Sequence, residues 1–315
     1  MRTVLLTAVF TALALPAFAA LKIASALNTI EYTPELIASK DYFSGTVSIT
    51  NGGVANIVSD TSIDLAANAE TQALRQFANH KNLRIIYTVA EVYYRLVAAK
   101  KSGISALADL KGKKIGSFPG TSAAYFVERL LTSAGLKNTD YTVVSGNICS
   151  GAPCGAGTFP YMLQHGTVDA VGMWEPSVQL AIDALGKENV VIFQNRTVYR
   201  EVFNLHSTAE KLQDASKRKE IVGFLQALIK AEQKFVQDPA SVYPRVSAAV
   251  NVDTTVLEEV WPVHGWNTGT LPDDLLDVLV AEDQWVARTD RRTAMARDTL
   301  ANLIDGSVLK EALAT

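Results

Sequence analysis

The chain has 315 residues, 48% hydrophobic and 19% charged, the balance of an ordinary globular protein. With 29 Lys and Arg against 32 Asp and Glu its formal net charge is −3, which excludes the basic footprint of a nucleic-acid binder. Abundant apolar residues exclude a disordered chain, and 19 Gly, 10 Pro and 2 Cys exclude a collagen or a disulfide scaffold.

Residues 1–20 read as a secretory leader. Arg2 supplies a positive start, Val4 to Leu15 is apolar and ends at Pro16, and Ala17-Phe18-Ala19 fits a small-x-small cleavage site. The apolar run is shorter than the ~20 residues a membrane span needs. No Cys follows it to carry a lipid anchor, and no twin Arg precedes it. Cleavage after Ala19 or Ala20 predicts a secreted or periplasmic protein without membrane insertion, of roughly 295 residues, room for two domains. In such an oxidising compartment Cys149 and Cys154 are expected to clip the loop Ser150–Pro153, two unpaired thiols being the alternative.

Beyond the leader, Lys22–Leu27 reads as a buried first strand, and Thr33 can cap a helix with Pro34 at its first position. Val47–Thr50, Ile63–Ala66 and Leu83–Tyr87 are short strands, with a helix over Thr71–Phe77 between the last two. Arg95–Ala99 is another strand. The polar stretch Asp109–Lys114 then predicts a crossing between domains. A second α/β rhythm follows: strand 114–118, helix 122–134 stopped by Gly135, strand Tyr141–Val144, a short helix at Pro160–His165 and strand Ala170–Met173. A helix between Pro176 and Gly186, strand Val190–Phe193 and a return strand Arg200–Leu205 complete it. From Ser216 the pattern is helical, with Ile221, Phe224, Leu225, Leu228 and Ile229 on one apolar face. Asp238-Pro239 breaks it, and shorter helices are expected to begin near Asp253, Pro272 and Asp290, with Trp261–Asn267 a packed loop. The alternation of strands and helices predicts an α/β fold in two lobes.

Four strand ends are candidate ligand loops, because ligands of open α/β sheets collect at the carboxyl edge. The first carries Asn28, Glu31 and Tyr32; the second carries Asn68 and Glu70. The third, Phe118-Pro119-Gly120-Thr121-Ser122, opens a helix. There, unpaired N–H groups and the hydroxyls of Thr121 and Ser122 could seat an anionic group, or the hydroxyls could simply cap their own helix. The fourth carries Trp174 as a wall and Glu175 as an acceptor; Tyr94 and Trp266 are further candidates. No G-x-S-x-G or H-E-x-x-H occurs, and His80, His165, His206 and His264 lack metal-ligand spacing, which weighs against a hydrolase.

Asp109–Gly116 followed by Pro119-Gly120-Thr121-Ser122 resembles the helix-opening segment of solute-binding proteins for sulfonates, nitrate, taurine and thiamine-pyrimidine precursors. Ile63–Ala66 and Trp174-Glu175-Pro176 are similar to further elements of that family, over about residues 21 to 290. The resemblance implies an α/β, two-lobed type II periplasmic-binding-protein-like fold. Residues 21–110 would begin lobe 1, 111–195 form lobe 2, and 196–315 return as helices packed on lobe 1. It further implies a monomer without cofactor that captures a small anionic or heteroaromatic solute by hinge closure and delivers it to a membrane ABC permease. A secreted relative of thiamine-pyrimidine synthase is the enzymatic alternative, but that family's cysteine-rich metal-binding run is not reproduced by Cys149 and Cys154. An interaction module on the same fold is a third.

Overall fold

Residues 20–314 are described by a computed structural model, so the expected leader, apart from Ala20, lies outside the described residues. In chain order the strands are β1 (Leu21–Ser25), β2 (Val47–Asn51), β3 (Leu65–Ala69), β4 (Leu83–Val92), β5 (Arg95–Ala99), β6 (Lys114–Gly116), β7 (Thr142–Val144), β8 (Ala170–Met173), β9 (Val190–Phe193), β10 (Glu201–Thr208) and β11 (His264–Trp266). They form a six-stranded sheet, ordered β11-β4-β10-β3-β1-β2, and a five-stranded sheet, ordered β7-β6-β8-β5-β9. The cores of both are parallel, β2-β1-β3 in one and β7-β6-β8 in the other. Each sheet also receives an antiparallel strand that has just crossed from the other, β5 beside β8 and β10 between β3 and β4. Helices cover the faces, so the inner strands β1, β3, β4, β5 and β8 are mostly buried Leu, Ile, Val and Ala, while the edge strands β2, β7 and β9 are half exposed.

The first crossing falls at Tyr93–Tyr94, not at 109–114. Arg95–Ala99 pairs with β8 and β9, so it belongs to the second sheet. The apolar run of β4 continues almost directly into β5, and no polar break is needed to change sheets. Asp109–Lys114 is instead a surface turn, in which the Asp109 carboxylate accepts from the backbone N–H of Ser105 and Ala106 at 2.9 and 2.8 Å. The chain returns between Phe193 and Glu201.

Three local expectations also shift. The strand expected at Ile63–Ala66 runs over Leu65–Ala69, because pairing with β10 extends to Ala69 opposite Phe203. Trp261–Asn267 supplies β11, an edge strand on β4. The helix expected near Asp290 begins at Arg297, since the preceding loop is held by Arg292 on Asp283 and by the Met295 N–H on Asp283 at 2.6 Å.

The long helix Ala215–Gln237 starts where Asp214 accepts the Lys217 N–H at 2.9 Å. Its apolar face lies on residues 33–42 of the first lobe, and the helix Ser307–Leu313 packs beside it. Cys149 and Cys154 are joined, with Cα atoms 5.7 Å apart. The clipped loop belongs to the second lobe, yet Gly151 abuts the Asn251 carbonyl of the C-terminal part. So short a loop places its contribution at the low end, about 2 kcal/mol. Urea denaturation of the Cys149→Ser/Cys154→Ser variant is expected to show a loss of that size; a loss above about 4 kcal/mol would mean the clip holds more than its own loop.

Candidate functional site

The carboxyl edges of the two parallel sheets face one another. From the first sheet come Asn28, Thr29 and Glu31 after β1, Asn68 and Ala69 ending β3, and Gln72 in the helix Glu70–Phe77. Glu201 and Phe203 arrive at this edge because β10 runs antiparallel. The second sheet supplies Thr121 and Ser122 beyond β6 and Trp174 beyond β8; Tyr94 lies in the link between the sheets. Together they enclose a cavity of about 260 Å³.

Seven of the residues singled out from sequence thus line one space: Asn28, Glu31, Asn68, Tyr94, Thr121, Ser122 and Trp174. Tyr32, Glu70, Glu175 and Trp266 do not. Tyr32 is packed into the core beneath the first loop. Glu70 is turned inward, where it accepts the Tyr199 hydroxyl at 3.1 Å and the Val202 N–H at 3.0 Å. Glu175 is buried at the start of the helix Ser177–Leu185, held by Arg95 Nε at 2.8 Å and the Gln179 N–H at 3.0 Å. Trp266 stacks on His264 at 5.3 Å and sits edge-on to Phe235 at 4.8 Å. Thr29, Gln72, Glu201 and Phe203 were not anticipated. Glu201 carried a readable signal, a lone acid directly before the apolar pair Val202-Phe203 of a strand.

The lining is aromatic and acidic. Trp174 stacks on Phe118 at 5.3 Å with 19° between planes, and its Nε1–H is buried without a partner. Glu31 has a buried oxygen, Oε2, likewise without a partner. Glu201 Oε1 accepts the Tyr94 hydroxyl at 2.5 Å and the Ser122 hydroxyl at 3.2 Å. The Thr121 hydroxyl donates to the Phe118 carbonyl at 2.8 Å. Both hydroxyls expected to greet an anion are therefore engaged within the protein. No Lys, Arg or His is among the lining residues. Arg75, nearest on the helix Glu70–Phe77, is committed to the Gly120 carbonyl across the lobes and to Asp290.

A family model described as NMT1/THI5 like matches residues 47–242, more than half of the sequence. The chain belongs to this family. Among solved structures, the periplasmic aliphatic sulphonate binding protein SsuA from Escherichia coli is similar at 16% identity and a TM-score of 0.69, over 92% of this chain and 99% of its own. The alkanesulfonate-binding protein SsuA from Xanthomonas axonopodis pv. citri, bound to MOPS, is similar at 16% identity and a TM-score of 0.66, over 92% and 98%. The desulfurization enzyme DszB shares the fold at 14% identity and a TM-score of 0.64, over 94% and 99%. At such identities the likeness establishes the periplasmic-binding-protein fold, and both binding proteins and an enzyme carry it. No curated protein matches the sequence significantly. Among the described residues, no helix is long and apolar enough to cross a membrane.

Burial governs the charge state of this NMT1/THI5-like protein. It pushes the carboxyl of Glu31 up to about 7 and that of Glu35 up to about 8. Burial also raises Glu70, Glu201, Glu232 and Glu282, and lowers His206 and His264 to about 4. The consequences for stability have opposite signs. A raised carboxyl binds its proton more tightly in the folded chain, so its contribution is lost as pH rises through the folded value. A depressed histidine costs stability as pH falls below its ordinary value near 6.5. Above about pH 6.5 only the carboxyls act, and the melting temperature is expected to fall steadily from there to about pH 8. A melting temperature that rises over this window would contradict these assignments.

Proposed function

We propose that this chain is an exported solute-binding protein that closes its two lobes over a small, flat heteroaromatic ring carrying N–H donors, the class of pyrimidine precursors. The observation that carries the reading is the lining itself: Trp174, Tyr94 and Phe203 as walls, two buried carboxyls, three side-chain amides and no cationic side chain. Aromatic faces take a planar ring by stacking, while Glu31, Glu201, Asn28, Asn68 and Gln72 fix its orientation by hydrogen bonds. A sulfonate, as held by SsuA, would find no cationic side chain in this lining, so the anionic class is the weaker reading. Its remaining support is the helix Ser122–Ser133, whose N-terminus opens at the cavity.

Capture needs both lobes, since first-lobe groups and Trp174 and Ser122 of the second meet only when the cleft is shut. The leader and the family fold support export and delivery to an ABC permease. Thermal-shift screening of the mature protein against aminopyrimidines, alkanesulfonates and nitrate tests the proposal. A ligand in roughly hundredfold excess over its Kd is expected to add about 2.7 kcal/mol of stability. Stabilisation by aminopyrimidines and not by sulfonates is the expected outcome; stabilisation by sulfonates or nitrate alone would overturn it. The ABC partnership is tested by reconstituted uptake with an ABC permease of the sulfonate and pyrimidine-precursor class.

A further inference from the structure

Behind the cavity wall the buried Glu70 and Glu282 join Glu201 of the lining in a set of carboxyls that reaches the links between the sheets. Tyr94 and Tyr199 stand one in each link between the sheets, their ring centroids 5.4 Å apart. Each hydroxyl is tied to a carboxyl of the first lobe: Tyr94 donates to Glu201 at 2.5 Å, and Tyr199 to Glu70 at 3.1 Å. Glu282, on the helix Leu275–Thr289, is the neighbouring acid of Glu70, with both carboxyl oxygens buried and without a hydrogen-bond partner. The second lobe closes onto the same spot. Ser122 bonds Glu201, and Tyr125, one turn on, packs against both Tyr199 and Trp285.

The charges facing this cluster are few. Arg129, on the same helix as Tyr125, faces Glu282 from the second lobe. Glu31 faces Glu201 and Glu175, and its Oε1 lies 3.8 Å from His264 Nε2, on an imidazole that burial keeps neutral. Arg95 is committed to Glu175 and Gln179. Arg196 and Arg200 of the second link border Tyr199 and Glu282 as well. Yet Arg196 donates to the Pro262 carbonyl and Arg200 is paired with Glu91 and Asp274, which leaves Arg129 to oppose the three first-lobe carboxyls around the hinge tyrosines. Neighbouring carboxyls in a dry site hold their protons; ionised together they repel and call for water.

We propose that protons act as a second ligand of the hinge: with Glu70, Glu201 and Glu282 protonated the lobes stay shut over the cavity, and losing those protons opens them and releases the solute. The inference rests on reading the cavity as the solute site and the two inter-sheet links as its hinge. Opening is the response that hydrates these groups, because the second lobe forms the lid over them. Burial, which favours the neutral form of all three, acts in the same direction.

Small-angle X-ray scattering of the mature protein, with no solute added, tests this directly. Between about pH 5.5 and pH 8.5 the radius of gyration is expected to grow by about 1 Å over the roughly 19 Å of a compact chain of this length, with circular dichroism unchanged. Glu70→Gln/Glu282→Gln keeps both groups neutral, leaving Glu201 alone to titrate, and is expected to shrink the growth well below that of the wild type. A wild-type radius independent of pH, or equal growth in the double variant, would overturn the proposal. Should the variant not fold, hydrogen exchange in the wild type decides. Protection of residues 93–94 and 194–200 is expected to fall with rising pH beyond the intrinsic chemistry, and constant protection would refute the switch. Since no solute enters either experiment, their failure is separate from failure of the ligand screen.

Discussion

Trp174→Ala is expected to weaken capture of the ring selected by the screen by at least about 2 kcal/mol, roughly 30-fold in Kd, while leaving the free protein folded. Trp174 is only partly buried and rests on Phe118, so its removal opens space at the cavity and not in the core. What is lost is the flat wall and the unpartnered Nε1–H, both of which the empty protein leaves unused. Loss of one stacking partner costs the free protein no more than about 1.5 kcal/mol. Isothermal titration and thermal melting separate the two effects. An unchanged Kd would remove Trp174 from the site; a collapse of stability would make it a core residue.

The second large effect concerns the second lobe's own integrity. Arg95→Met is expected to destabilise the protein by about 3–5 kcal/mol, because it strands a buried carboxylate. Glu175 is 2% exposed; it loses Arg95 and keeps only the Gln179 N–H. The same bridge fixes the helix Ser177–Leu185, which begins just after Trp174, and thereby positions that wall. Adding Glu175→Gln to Arg95→Met should recover most of the loss, since the amide needs no counter-charge. Urea denaturation of the two variants decides. If the single change costs less than about 1 kcal/mol, or the second recovers nothing, the pair is not the strut described.

What could be read from the sequence divides along physical lines. Strands flanked by helices announced the α/β lobes, since period and length are local properties, and the loops after them carried Asn28, Glu31, Asn68, Thr121, Ser122 and Trp174 to one cavity. The crossing at Tyr93–Tyr94 was hidden because β4 and β5 are both buried and apolar, and a polar surface turn at 109–114 imitated a boundary. Side-chain direction was equally hidden. Glu70 and Glu175 follow strand ends as Asn68 and Trp174 do, yet they turn inward toward Tyr199 and Arg95. Glu201 escaped because its place beside the cavity depends on β10 entering antiparallel between β3 and β4, a pairing of distant segments.

A crystal structure of the protein with the most strongly stabilising aminopyrimidine tests the central claim most directly. The ring is expected between Trp174 and the first-lobe walls, with N–H groups donating to Glu31 or Glu201 and both lobes in contact. A ring bound outside that cavity, or touching one lobe alone, would contradict the account.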